Sequence, residues 1–256
     1  MRFGTRSTSA SRWRLSRATE HAKRLALLLG MAALAGCATR IGFETETSMA
    51  PLPVADYAAE EAGGAVIYRV IAEDSELLVR VGRAGRMAHL GHDHAVASDH
   101  LQGYVAVHAD RGRSRADLAM PLRDLVVDRA RDRARLELDS EPSADDIAGP
   151  YSNMRRVVEA ETWPWATVAV RMAGAEETLL DVSIDMHGQV VELRVPAELE
   201  IDAERVRVSG EFRVSHADFG LVPFTAAGGL IRVADELDVR FRVVAERTSL
   251  AEASAG

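Results

Sequence analysis

The sequence predicts an all-β domain: an antiparallel, up-and-down barrel of about eight strands with a short helical insertion. Three observations carry this expectation. From Val66 onward, apolar and polar residues alternate with period two in one segment after another. Each segment has one apolar and one charged face, as antiparallel strands with one wet side do; parallel strands buried on both sides would read as continuous apolar runs. Little helical periodicity is present to cover the apolar faces, so the sheet must bury them against itself.

The chain begins differently. Residues 1–36 hold seven basic side chains and one acid, Glu20. The apolar run Leu25 to Leu34 follows Lys23-Arg24 and is shorter than the roughly 20 residues a membrane-spanning helix needs. Basic, apolar and then small residues is the order of a secretory signal. The one cysteine of the chain, Cys37, stands right after Leu34-Ala35-Gly36. That arrangement resembles the bacterial lipobox, which implies cleavage before Cys37 and its acylation. With Ala at position 38, the resemblance implies export to the periplasmic side of the outer membrane, lipid-anchored there. Residues 1–36 are therefore read as a lipoprotein signal peptide. Residues 37–65, with Pro51, Pro53 and Gly63-Gly64, read as a flexible tether, 66–248 as the barrel domain, and 249–256 as a disordered tail. A single cysteine excludes an internal disulfide and a thiolate cluster.

Charge narrows the partners. Beyond residue 36 the chain carries 24 basic against 38 acidic side chains, a net −14. Nucleic acid needs a basic face and is not expected as a partner. A homodimer is left open.

The strands follow in order. Val66, Tyr68 and Val70 share one parity, and Leu77, Val79 and Val81 another run. Met87 to His100 interrupts them with His89, His92, His94 and His100, half of the eight histidines. Leu101 to Val107 then alternates, and the apolar parity places Val105 and Val107 inward; Leu118 and Met120 do the same before Pro121. Ser143 caps a short helix ended by Gly149-Pro150, and Tyr151 to Ala160 forms a further turn or two. After Trp163-Pro164-Trp165 the alternation is clearest. Val168 and Val170, Val182 and Ile184, Leu193 and Val195, Phe212 and Val214, and Val239 and Phe241 lie on the apolar parities of five strands. Pro196 falls inside a long strand, so it must sit at a bulge or where no ladder bond is needed. Phe219 and Phe224 are also read as inward, Phe224 within the apolar, Gly-rich stretch Gly220 to Leu230 that suits a lid or mouth. About eight strands leave an interior either just filled by side chains or wide enough for one small ligand. The inward parity has many Val and Ala and few aromatics, which favours a cavity. The sixteen residues just named as inward are the expected lining.

Four segments carry a family resemblance. They are Leu90-Gly91-His92-Asp93-His94, Asn153-Met154 ahead of Trp163-Pro164, Met186-His187-Gly188-Gln189 running to Pro196, and Ser215-His216-Ala217-Asp218-Phe219-Gly220 before the last strand. Together, over roughly Tyr68 to Arg247, they resemble the YceI-like family. The resemblance implies a lipocalin-like barrel and an apolar cavity for a polyisoprenoid or other long-chain amphiphile, such as an isoprenoid quinone, so the expected partner is a hydrophobic small molecule. No cofactor is expected beyond such a lipid. The alternative is a metal-binding envelope protein. His92 and His94, two apart on an extended chain, would share an ion with His89 or His100. No Gly-x-Ser-x-Gly elbow is present, and His216 with Asp218 reads as a turn, so an enzyme is not expected.

Overall fold

The computed structural model describes residues 50–139, 142–173 and 178–250. The first element is helix α1 (Val54–Ala62), followed by strands β1 (Val66–Val70), β2 (Glu76–Ala84), β3 (His94–Ser98), β4 (Gln102–Val107), β5 (Arg115–Pro121) and β6 (Val126–Val127). Helices α2 (Ala130–Arg135) and α3 (Ala144–Val157) come next. The remaining strands are β7 (Trp165–Met172), β8 (Leu179–Met186), β9 (Gln189–Ile201), β10 (Arg205–Ser215), β11 (Thr225–Ala226) and β12 (Ile231–Thr248).

Eight strands form a closed antiparallel ring in the order β1, β4, β5, β7, β8, β9, β10, β12, which returns to β1 through Ile67↔Thr248 to Val70↔Ala245. Apart from β2, β3, β6 and β11 the ring is a meander in chain order, so the expected up-and-down barrel is present. Its closure leaves no bare edge along the ring. β12 is long enough to serve two neighbours on one side. Its last residues hold β1, and Arg232 to Arg242 pair with β2. β2 carries β3, and β3 carries β6, so these three extend the wall at one end.

Local chemistry explains the connections. The β8–β9 turn puts both His187 and Gly188 at positive φ (55° and 71°), the two-residue hairpin turn whose twist matches its strands. A Cβ on Gly188 would also meet the Trp163 ring at 2.9 Å. Pro196 marks the changeover in β9: residues up to Pro196 pair with β8, and the β10 ladder begins at Ala197. Its missing N–H therefore falls outside the β10 ladder.

Three sequence expectations are corrected. The tether reading of residues 37–65 fails over Val54–Ala62. Tyr57 is fully buried there, and its hydroxyl donates to Asp117 Oδ2 (2.7 Å), with the Tyr104 carbonyl 3.0 Å away. Arg115 lies 4.3 Å over the Tyr57 ring and bonds Glu60 (2.7 Å), whose other oxygen meets His108 Nε2 at 3.1 Å. The helix thus covers outward-facing Ile67 and Ala106, which would otherwise be wet. Residues 37–49 lie outside the described residues. The tail reading fails at Leu250, which packs in the same cluster and donates its N–H to Glu61; residues 251–256 lie outside. Finally, Gly149-Pro150 does not end a helix. α3 runs through Pro150 for 14 residues, started by a full capping box between Ser143 and Asp146.

The burial of Tyr57 makes α1 part of the domain's stability. Tyr57→Ala is expected to cost about 3–5 kcal/mol, the range for deleting a buried aromatic side chain. The urea midpoint of unfolding, compared with wild type, measures it.

Candidate functional site

The ring encloses a cavity of about 290 Å³. Its lining spans β7 from Ala166 to Met172, six residue rises or roughly 20 Å along the strand. The space is elongated, and its walls are apolar, aliphatic except for three phenylalanines. Of the sixteen residues expected inside, fourteen line it: Val105, Val107, Leu118 and Met120 from β4 and β5; Val168, Val170, Val182 and Ile184 from β7 and β8; Val195, Phe212 and Val214 from β9 and β10; and Phe219, Val239 and Phe241. Leu193 packs into the flanking apolar clusters without reaching the lining. Phe224 is a correction. It is exposed in the loop after β10, where the carbonyl of its own residue accepts from Val233 N.

Sequence reasoning missed one wall. Leu77, Val79 and Val81 of β2, Val96 of β3, and Leu122 and Leu125 line the cavity as well. Their alternation was visible, but nothing in the pattern says that an excursion between two ring strands rejoins the same interior. Met154 and Val158, from α3 and its cap, complete the lining at that end.

Among the described residues, the polar side chains on the lining are engaged outside the cavity or exposed. Arg115 is tied outside to Glu60 and Asp117, and Glu76 to Arg135 at 3.0 Å. Arg171 sits between inward Val170 and Met172 and is exposed. Ser114 Oγ accepts from His108 N, and His216 Nδ1 meets the Asp235 carbonyl at 3.0 Å. The two ends differ. At the end formed by the β4–β5 and β9–β10 turns, Tyr68 is buried among Val107, Val206 and Val243, and its hydroxyl crosses to the Asp202 carbonyl (2.9 Å). At the other end, α3 and the segment Phe219 to Leu221 lie over the interior.

The histidines divide. His92 and His94 stand with Asp128, their ligand-type atoms all within 4.8 Å of one another. His89 lies in the turn between β2 and β3 and His100 follows β3; neither belongs to this group, which corrects the expected third ligand. Asp128 comes from beyond β6 and gave no sequence signal. It is fully buried as a side chain, accepts from Ala95 N at 2.9 Å, meets His94 Nδ1 at 2.6 Å and pairs with Arg133 Nη1 at 2.5 Å. Burial pushes the Asp128 carboxyl up, but His94, Ala95 N–H and Arg133 outweigh it and hold the group below the usual carboxylate value. Burial and neighbouring His94 push His92 down, so its ring is neutral at pH 7. With Arg133 already neutralising Asp128, a metal cation would face a guanidinium; the cluster reads as an ion-paired rim rather than a metal centre. Asp93 fixes the same loop outside, through Arg80 (2.7 Å) and Arg83 N (3.0 Å). His216 and Asp218 are not a catalytic pair: Asp218 accepts from Ser215 N, closing the turn.

No family model matches the sequence, and no curated protein matches it. Solved structures are similar in fold. A polyisoprenoid binding domain from Saccharophagus degradans, implicated in plant cell wall breakdown, is 17% identical with a TM-score of 0.48, over 72% of this chain and 99% of its own. BcnA of Burkholderia cenocepacia is 16% identical with a TM-score of 0.46, over 68% and 98%. The Campylobacter jejuni YceI protein is 11% identical with a TM-score of 0.42, over 60% and 84%.

The buried carboxylate gives a pH dependence. Because the folded-state pKa of Asp128 is depressed, its contribution is fully present above 3.8 and drains away as pH falls toward the folded-state value. Asp128→Asn removes the carboxylate charge that Arg133 and His94 share, while Arg133 keeps its bond to the Asp93 carbonyl (2.8 Å), and is expected to cost about 1.5–3 kcal/mol at pH 7, the range for losing a hydrogen bond to a charged group. Urea midpoints at neutral and acid pH should show the variant's deficit shrinking as pH falls below that range.

Proposed function

We propose that this protein is a membrane-tethered binding protein that holds or carries one long-chain hydrophobic molecule, isoprenoid-like in character, in the barrel. The observation that carries the reading is the cavity: about 290 Å³, elongated, apolar and mostly aliphatic, with its polar neighbours bonded elsewhere. Such a space stays dry, so a ligand that fills it gains by transfer from water, about 0.8 kcal/mol for each buried CH₂. Affinity then depends on length and flexibility more than on a head group. Met120, Met154 and Met186 gather at the helix-covered end. Unbranched thioether side chains adapt to irregular chains, which suits a ligand with methyl branches. The order of residues 1–37 supports export and acylation at Cys37, on the periplasmic side of the outer membrane.

Two measurements test the parts separately. Native mass spectrometry of protein purified without detergent is expected to show a stoichiometric apolar adduct. Val168→Trp, which fills the middle of the cavity, is expected to keep the β-sheet circular dichroism and lose the adduct; a wild type recovered empty, or an adduct that survives the substitution, defeats the cavity reading. For the anchor, Cys37→Ser is expected to abolish acylation and leave an uncleaved chain, read as intact mass from the membrane fraction. Identical processing of variant and wild type would remove the anchor and leave the cavity argument standing.

A further inference from the structure

The exposed large apolar side chains of the described residues are not scattered. Trp163 precedes β7, Val190 follows the β8–β9 turn, Val222 and Phe224 follow β10, Leu230 precedes β12, and Leu90 lies between β2 and β3. The ladders put all these positions at one end of the barrel, the end where β4, β7 and β9 begin and β5, β8 and β10 finish. Contacts link them into an arc. The Trp163 ring lies against Gly188, and Gly220 lies beside Gln189. Met87 N donates to the Leu230 carbonyl, and Gly91 sits against Ile231. Val222 is 81% exposed, and Leu90 and Val190 are each 60% exposed. The opposite end shows Asp110, Arg111, Asp202 and Glu204 and, among the described residues, no exposed large apolar side chain, whereas Arg86, Glu161 and Asp218 stand between the apolar ones at this end. Single exposed apolar residues are ordinary on any protein. Their confinement to one end is not, and marks a surface that leaves water.

The occupant follows from where the chain enters. Along α1, Tyr57 lies by Tyr104 and Glu60 by His108, so the helix runs in the same direction as β4. Its first turn, with exposed Val54, faces the apolar end. Twelve residues separate Cys37 from Ala50. A stretch of that length, however arranged, reaches at most about 40 Å. The described chain begins at the apolar end, so an acyl group on Cys37 would tether the domain by that end. Aliphatic side chains with one Trp are the residues that enter the headgroup boundary.

We infer that the end bearing Trp163, Val190, Val222, Phe224, Leu230 and Leu90 seats on a lipid bilayer, which places the α3-covered end of the cavity against the hydrocarbon. The surface goes beyond the binding reading, and its test separates the two. In the full chain with Cys37→Ala, an environment-sensitive dye is placed at Val222→Cys or, as the opposite-end control, at Glu204→Cys. Vesicles of phosphatidylethanolamine with a minor share of phosphatidylglycerol carry nitroxide on the acyl chains. The dye at 222 is expected to shift blue and be quenched, and the dye at 204 to do neither. Leu90→Asp with Val190→Asp is expected to weaken vesicle partition about tenfold or more, while titration with a fluorescent fatty alcohol stays unchanged. Equal behaviour of the two dyes, or undiminished partition of the double variant, overturns the inference. That includes a chain held only by Leu25 to Leu34, or one that docks only on protein. Loss of the alcohol titration in the wild type overturns the cavity reading instead.

Discussion

The interior depends on one short ladder. Between Ile67↔Thr248 and Val70↔Ala245, the first and last ring strands pair and turn a curved sheet into a closed wall. With the ring shut, side-chain alternation has only two destinations, inside and outside. Each β-strand must then supply an apolar parity and a polar one, and a one-residue slip anywhere would turn aliphatic residues out and arginines in. The α1 helix reinforces this seam. It covers Ile67 and Ala106, the outward positions of β1 and β4 that are apolar.

Charge is kept on the outer surface by pairing. Arg115 follows inward Ser114 and precedes inward Ala116, yet its guanidinium ends between Glu60 and Asp117 under Tyr57. Asp128, a buried acid near the rim, has Arg133, His94 and a backbone N–H around it. A buried carboxylate needs such partners, because an unpaired one costs more than the fold can spare. The same arrangement that makes the His-rich loop look like a metal site from sequence makes it a braced corner in three dimensions. His92 Nε2 is buried there without a hydrogen-bond partner, 3.9 Å from Asp128 Oδ2, and the neutral state of the ring lowers the cost of that position.

Much of the barrel was legible in the sequence because period two is a local signal. Val168, Val170, Val182 and Ile184 announce their face by spacing alone, and they line the cavity. The long-range facts were not legible. Nothing near Val54 says that Tyr57 will meet Asp117, 60 residues on, and two prolines beside it made the stretch read as linker. Asp128 sits 34 residues from His94, in a charge-dense run that offered no reason to choose it over its neighbours. Phe224 has the composition of a core residue and lies exposed, because its loop is fixed by the β11 pairing and by Val233 rather than by its ring. Pro150 shows the limit of a breaker rule. A capping box at one end and i to i+4 bonding beyond it carry α3 across the proline.

Tyr68 has a consequence for traffic. A barrel open at both ends is a conduit, in which a second molecule can push the first out ahead of it. Here the phenol of Tyr68, fastened to the Asp202 carbonyl, lies across one end. In the binding role proposed above, loading and unloading would then use the opposite end, one after the other, and an occupant would have to back out before another could enter. A compartment of that kind would deliver one molecule per visit, so its flux would be counted in round trips of the protein rather than in molecules streaming through it.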